Sequence, residues 1–151
     1  TNAAIAGLAL AAGWFGGWQA LVLVHAPTML LAASMGVWLF YVQHQFEHTY
    51  WARRERWDAT DAALHGSSHY DLPVVLRWMT ANIGVHHVHH VNSRIPFYRL
   101  RAVLRDHPEL KGVSRLTLGG SLACVGLSLW DEEGQRLVSF RQSRRLAAAS
   151  A

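Results

Sequence analysis

The chain has 151 residues and a mass of 16.9 kDa, room for one ordinary domain and not for two large ones. Apolar residues make up 51% and charged residues 16%, against roughly 25% charged in soluble domains, which excludes a disordered chain or an acidic tail. A single cysteine, Cys124, excludes a disulfide framework and a cysteine-rich zinc site within one chain, while the balance is basic, at net +4, and histidines number ten.

Residues 1–46 contain no Asp, Glu, Lys or Arg, and Glu47 is the first charge. A membrane-crossing helix needs about 20 mostly apolar residues, so this stretch has the length for two. It carries no basic leader and no cleavage site, so it does not read as a signal peptide. Its first residue is Thr1, and the chain reads as a mature fragment or the carboxyl part of a longer protein. Gly13-Trp14-Phe15-Gly16-Gly17-Trp18 reads as a turn at a membrane surface, where tryptophan favours the interface. Asn2–Ala12 before it is too short to span, and Gln19–Val42 after it is long enough. Pro27 kinks that second helix or marks its first turn. The alternative puts the turn at His25-Ala26-Pro27. Residues 1–46 are therefore expected to form a transmembrane hairpin with a truncated first helix.

The second apolar helix ends on the aromatic band Trp38-Leu39-Phe40-Tyr41, and Arg53, Arg54 and Arg56 come soon after. By the positive-inside rule, the end of this helix and the rest of the chain lie in the cytoplasm. Residues 47–65 are polar and read as a helix along the membrane face. Gly66-Ser67-Ser68 is a break. Leu72–Ile83, with Arg77 its only charge, reads as an interfacial or buried helix. Residues 47–113 form the expected cytoplasmic helical region and 114–151 a tail. In the tail, Ser121–Leu129 and Arg136–Phe140 flank the turn signal Asp131-Glu132-Glu133-Gly134 and read as a β-hairpin. Arg144–Ala151 is low-complexity and expected to fray. The fold class is mostly α.

Two histidine groups stand out. In His86-His87-Val88-His89-His90 a helix puts His86, His89 and His90 on one face and turns His87 about 100° away. Three imidazoles on one face suit a borderline metal such as iron, zinc or copper. In His44-Gln45-Phe46-Glu47-His48 the i, i+4 pair His44 and His48 closes the apolar helix, and both have a spacing that can face a metal. Ionisable groups at membrane depth are costly and mark function. His44, His86, His89 and His90 suffice for one metal, and the fold must bring the two groups together. His65 and His69 straddle the glycine break and read as structural or surface residues, as do His25 and His107.

Tyr41-Val42-Gln43-His44-Gln45-Phe46-Glu47-His48-Thr49-Tyr50-Trp51, Gly66-Ser67-Ser68, Asn82-Ile83-Gly84-Val85-His86-His87-Val88-His89-His90 and Ile95-Pro96-Phe97-Tyr98 together resemble bacterial membrane fatty acid desaturases. Leu129-Trp130-Asp131-Glu132-Glu133 and Leu137-Val138-Ser139-Phe140-Arg141 are similar to that family's tail. The resemblance implies three histidine boxes binding two irons. His86, His89 and His90 match the third box, and His44 matches an additional histidine before it. The first two boxes are expected upstream of Thr1, so the fragment alone is expected to be inactive. The resemblance further implies dioxygen as co-substrate, a membrane lipid or acyl-thioester substrate, and a ferredoxin-like or cytochrome b5-type electron donor, with no nucleic-acid partner. Its setting would be the bacterial cell membrane, histidine boxes on the cytoplasmic side. Trp38, Phe40 and Tyr41 are candidates to line the acyl tunnel. Two other readings remain open: a hydroxylase with the same boxes, and a non-enzymatic membrane metal-binding protein.

Overall fold

In the computed structural model, which describes residues 1–149, the uncharged amino-terminal stretch forms two helices, Asn2–Gly16 and Trp18–His44. They are parted at Gly17, whose φ of 92° is open to glycine and strained for a side chain. The second helix runs through His25-Ala26-Pro27 without a break. Instead it widens to a π-helical turn at Leu21–His25. Pro27 has no N–H to donate, and its ring crowds the carbonyl four residues back, so the turn before it loosens. The long helix has 27 residues, a mean hydropathy of 1.8 over its most apolar window and no buried residue in that window. By length and composition it is the one helix among the described residues that can cross a membrane. A helix apolar around its whole circumference requires an apolar surround. Ile5, Leu8, Ala9 and Ala12 share an apolar pocket with Ala20, Leu21, His25 and Met29.

The chain divides into two compact units, Thr1–Leu39 and the residues from Phe40 onward. In the second unit the expected helix over residues 47–65 is realised only at Ala59–His65, preceded by a 3-10 turn at Arg54–Arg56. Tertiary bonds claim the backbone that a longer helix would have used. Tyr50 N–H donates to the His65 carbonyl, and the Glu47 carbonyl accepts from Leu137 N–H. Asp58 then caps the short helix, its carboxylate accepting from the N–H groups of Thr60 and Asp61. Leu72–Ile83 contributes only the helix Val74–Met79, with Val74, Val75, Trp78 and Met79 exposed rather than buried. It stops where Ala81 and Asn82 turn left-handed.

Among the described residues, two small sheets complete the unit. β1 (His69–Asp71) pairs parallel with β2 (Arg115–Thr117), Tyr70 opposite Leu116, and His69 also bridges Val85. The hairpin β3 (Leu129–Asp131) and β4 (Arg136–Val138) is antiparallel. Of the first expected tail strand only its end is extended, because residues 118–126 form short helical turns. Thr117 caps the first of these with its hydroxyl. The second expected strand stops at Val138, and Phe140–Ala149 is a helix. Ser139 and Gln142 cap it reciprocally: the Ser139 hydroxyl accepts from Gln142 N–H, and the Gln142 amide oxygen accepts from Ser139 N–H. Ser150 and Ala151, the end of the segment expected to fray, lie outside the described residues.

The histidine helix, His86–Val91, packs against segments that precede and follow it in the chain. Val85, Val88 and Leu100 form a core with Ile95, Val103, Leu104 and Leu110 around them. The helix Ala59–His65 packs against the histidine helix.

Candidate metal centre

His44 is the last residue of the long helix, and His86 and His90 lie one turn apart on the histidine helix. Two hydrogen bonds fix the end of the long helix, one to the approach to the histidine helix and one to the Gly66-Ser67-Ser68 break. Buried Gln43 donates its side-chain amide to the Ile83 carbonyl at 2.9 Å, and Ser68 N–H donates to the Gln43 carbonyl at 2.9 Å. Gly84 allows a close approach between β1 and the entry to the histidine helix. Its carbonyl accepts from Tyr70 N–H at 2.8 Å, and a Cβ there would fall on the Tyr70 carbonyl oxygen.

The result is a triangle of imidazole nitrogens. Its Nε2–Nε2 edges are 3.0 Å for His44–His90, 3.3 Å for His44–His86 and 3.1 Å for His86–His90. A metal–nitrogen bond of about 2.1 Å places ligand nitrogens about 3.0 Å apart at a right angle and about 3.4 Å apart at the tetrahedral angle. The edges therefore match one face of a coordination polyhedron. They cannot all be hydrogen bonds. A neutral imidazole Nε2 carries either a proton or an in-plane lone pair, not both. His44 donates its Nδ1–H to the Phe40 carbonyl at 2.7 Å, which leaves its Nε2 bare when neutral. A cation shared by three lone pairs satisfies all three edges at once.

Electrostatics favour the neutral, ligating form. Burial first, then the neighbouring histidines led by His44, pushes the His86 pKa down to about 3. The same causes in the same order lower His90. The donor set is all imidazole, which suits iron as well as zinc or copper, so the residues present fit an iron site.

The other sequence candidates are distributed around this triangle. The His89 ring stacks on that of His86 at 5.6 Å, beside the three converging nitrogens. His48 is exposed and lines a different pocket, with Trp51, Asp61, His65 and Trp130. Phe40 is exposed, and its ring lies 4.5 Å from that of His44. Tyr41 donates its hydroxyl to the Cys124 carbonyl at 3.0 Å. Trp38 is half-buried on the long helix. His87 is fully buried, faces away, and donates Nε2–H to the Leu110 carbonyl at 2.9 Å. His25 and His65 are exposed, His107 pairs with Glu109, and His69 lies in β1 with its ring 5.9 Å from that of His87. Sequence reasoning missed Gln43 as the tether and the Phe40 carbonyl as the group orienting His44. The i, i+4 spacing of Phe40 and His44 was the available signal for the second.

A family model described as fatty acid desaturase matches residues 1–117. The chain belongs to the fatty acid desaturase family. A fatty acid desaturase of Bacillus subtilis (strain 168) is 46% identical over 146 residues, covering 97% of this chain and 42% of that protein. A chloroplastic omega-6 fatty acid desaturase of Brassica napus is 38% identical over 68 residues, 45% of this chain and 15% of that protein. The chain thus spans less than half the length of the curated relatives it matches. No solved structure matches it. In this desaturase chain the histidine triangle falls within the family-matched residues, and so does the π-turned helix that delivers His44.

Proposed function

We propose that the chain is the carboxyl-terminal portion of an oxygen-dependent membrane fatty acyl desaturase. The observation that carries this reading is the convergence of three Nε2 atoms to 3.0–3.3 Å in a chain of the desaturase family. His44, His86 and His90 hold an iron, His89 is the remaining imidazole of the set, and the rest of a two-iron site comes from residues outside this chain. Bound iron supplies, with dioxygen, the oxidant for an unactivated carbon–carbon bond. Overall, two neighbouring methylenes each lose one hydrogen. Dioxygen takes these two hydrogens, two electrons and two protons, and leaves as two waters.

The protein's part is positioning. Phe40 holds the His44 tautomer through its carbonyl and offers its exposed ring beside that imidazole to an acyl chain. Trp38 and Tyr41 extend the apolar lining along the same helix. Core packing around Val88 keeps one side of the histidine helix dry. Residues 1–46 form a transmembrane hairpin in the bacterial cell membrane, with the histidines on the cytoplasmic side next to Arg53, Arg54 and Arg56. The net charge of +4 suits an acidic electron donor of the ferredoxin-like or cytochrome b5 type.

The test is the fatty-acid profile, by gas chromatography and mass spectrometry, of a host lacking the activity and expressing the complete reading frame. A new unsaturated acid that disappears with His86→Ala is the expected result. A hydroxylated product, or no new lipid despite iron loading and a suitable donor, overturns it.

A further inference from the structure

A concave site of about 250 Å3, apart from the histidine triangle, gathers cations from four elements. Arg77 comes from Val74–Met79, Arg101 and Arg105 from the helix Leu100–Asp106, Lys111 from the 3-10 turn Pro108–Lys111, and Arg115 from β2. Arg101 and Arg105 are spaced i, i+4, where like charges repel along a helix. Acidic compensation is partial: Asp71 engages Arg115, and Asp106 engages Arg105 at 2.9 Å. Arg77, Arg101 and Lys111 have no acidic partner among the described residues. His69 and Asp71 also line the pocket; burial first and then the charge of Arg115 lower the His69 pKa, Asp71 opposes, and Arg101 and Arg77 add to the lowering. The space equals roughly eight waters at about 30 Å3 each, room for a phosphate with a small polar substituent.

The helix that supplies Arg77 presents Val74, Val75, Trp78 and Met79 to the outside, each 58–80% exposed. Four apolar side chains beside a pocket of uncompensated cations match a ligand with a phosphate at one end and hydrocarbon at the other. A free phosphate uses the cations and leaves the apolar face uncovered. An acidic protein surface spreads its carboxylates and does not need a concave site.

We propose that this pocket binds the phosphate of an anionic phospholipid headgroup while Val74, Val75, Trp78 and Met79 enter the adjoining bilayer interface. The proposal concerns a site outside the metal centre and requires no catalytic role for it. The test is native mass spectrometry of the intact protein in detergent, wild type and variants, titrated with phosphatidylglycerol, phosphatidylcholine, inorganic phosphate or poly-glutamate. The wild type is expected to retain phosphatidylglycerol in clear excess over phosphatidylcholine. The double variant Arg101→Gln, Lys111→Gln is expected to bind it at least tenfold more weakly, while Arg144→Gln, Arg145→Gln, exposed and outside the pocket, binds as the wild type does. An unchanged unfolding midpoint certifies the double variant, and the single variant Lys111→Gln replaces it if that midpoint falls. Equal retention of the two lipids, or equal binding by variant and wild type, overturns the proposal. Inorganic phosphate displacing phosphatidylglycerol at similar concentration assigns the pocket to a free phosphate and overturns the lipid. Loss of binding to poly-glutamate with lipid binding intact assigns it to an acidic protein, with the same consequence.

Discussion

His44 shows how one backbone carbonyl sets the chemistry of an imidazole. The proton held on Nδ1 by Phe40 leaves Nε2 with its lone pair free, and His86 and His90 meet that atom from another element. Replacing any of the three by alanine removes one donor from the triangle. Loss of an outer-shell partner alone costs 10–100-fold in metal affinity, so His44→Ala, His86→Ala and His90→Ala are each expected to lose more. Iron per protein, measured by plasma mass spectrometry on the intact protein, should fall in all three and stay at the wild-type level in His48→Ala. A drop in His48→Ala would bring that exposed residue into the metal set. The same histidines predict how the iron-free protein responds to acid. His86 is pushed down to about 3 by burial and then by its neighbours. His87 is pushed down to about 4 by burial and then by His69, with the Leu110 carbonyl opposing. Both folded values lie below the roughly 6.5 of a free imidazole. As pH falls, the unfolded chain takes up protons first. Their contribution is therefore complete above about pH 6.5 and declines from there toward about 3–4. The unfolding midpoint of iron-free protein should drop between about pH 7 and pH 5, and less steeply in His87→Gln; parallel curves for the two proteins would refute it.

At the scale of elements, the centre depends on how the histidine helix is delivered. Gly84→Ala sets a methyl against the Tyr70 carbonyl oxygen, where β1 meets the entry to that helix. Overpacking of this kind costs about 1–3 kcal/mol. Gln43→Leu keeps the bulk and strips the Ile83 carbonyl of its donor, at about 1–3 kcal/mol for an unsatisfied buried group. Both variants keep every histidine, so both are expected to lower the unfolding midpoint and to retain iron less well. Wild-type iron retention in a Gly84→Ala protein of lowered midpoint would show that the close approach at Tyr70 does not position the ligands. The histidine helix itself was legible in the sequence, because helical spacing alone puts His86 and His90 on one face and turns His87 away. Its meeting with His44 was required by the ligand count, but the means was not legible, since more than forty residues separate them and Gln43, which ties them, carries no periodic signal. β1 and β2 were not legible because a three-residue strand offers too little alternation to read. The final helix has a signal that its composition masks: Ser139 and Gln142 have capping-box spacing, and the arginine-rich run after them hides it.

At the scale of the whole molecule, the long helix of 27 residues extends about 40 Å at about 1.5 Å per residue, more than the roughly 30 Å hydrocarbon core. The 15-residue first helix reaches only about 22 Å by the same rise. By length the charge-free stretch has room for one complete crossing and part of another, and the sense proposed for it rests on Arg53, Arg54 and Arg56. Sidedness can be read by thiol labelling of the intact protein in sealed cells and in inverted vesicles. Cys124 is buried, and burial raises its thiol pKa, so it reacts slowly and gives a quiet background. A cysteine introduced by Trp57→Cys, at an exposed site just past the arginines, should react with an impermeant maleimide only in inverted vesicles. One introduced by Gly16→Cys, at the far end of the crossing, should react only in sealed cells. Gly16 suits this because a side chain there meets nothing within 4 Å. Labelling of the Trp57→Cys protein in sealed cells would put the histidines outside, away from cytoplasmic electron donors, and would remove the proposed route by which reducing equivalents reach the iron.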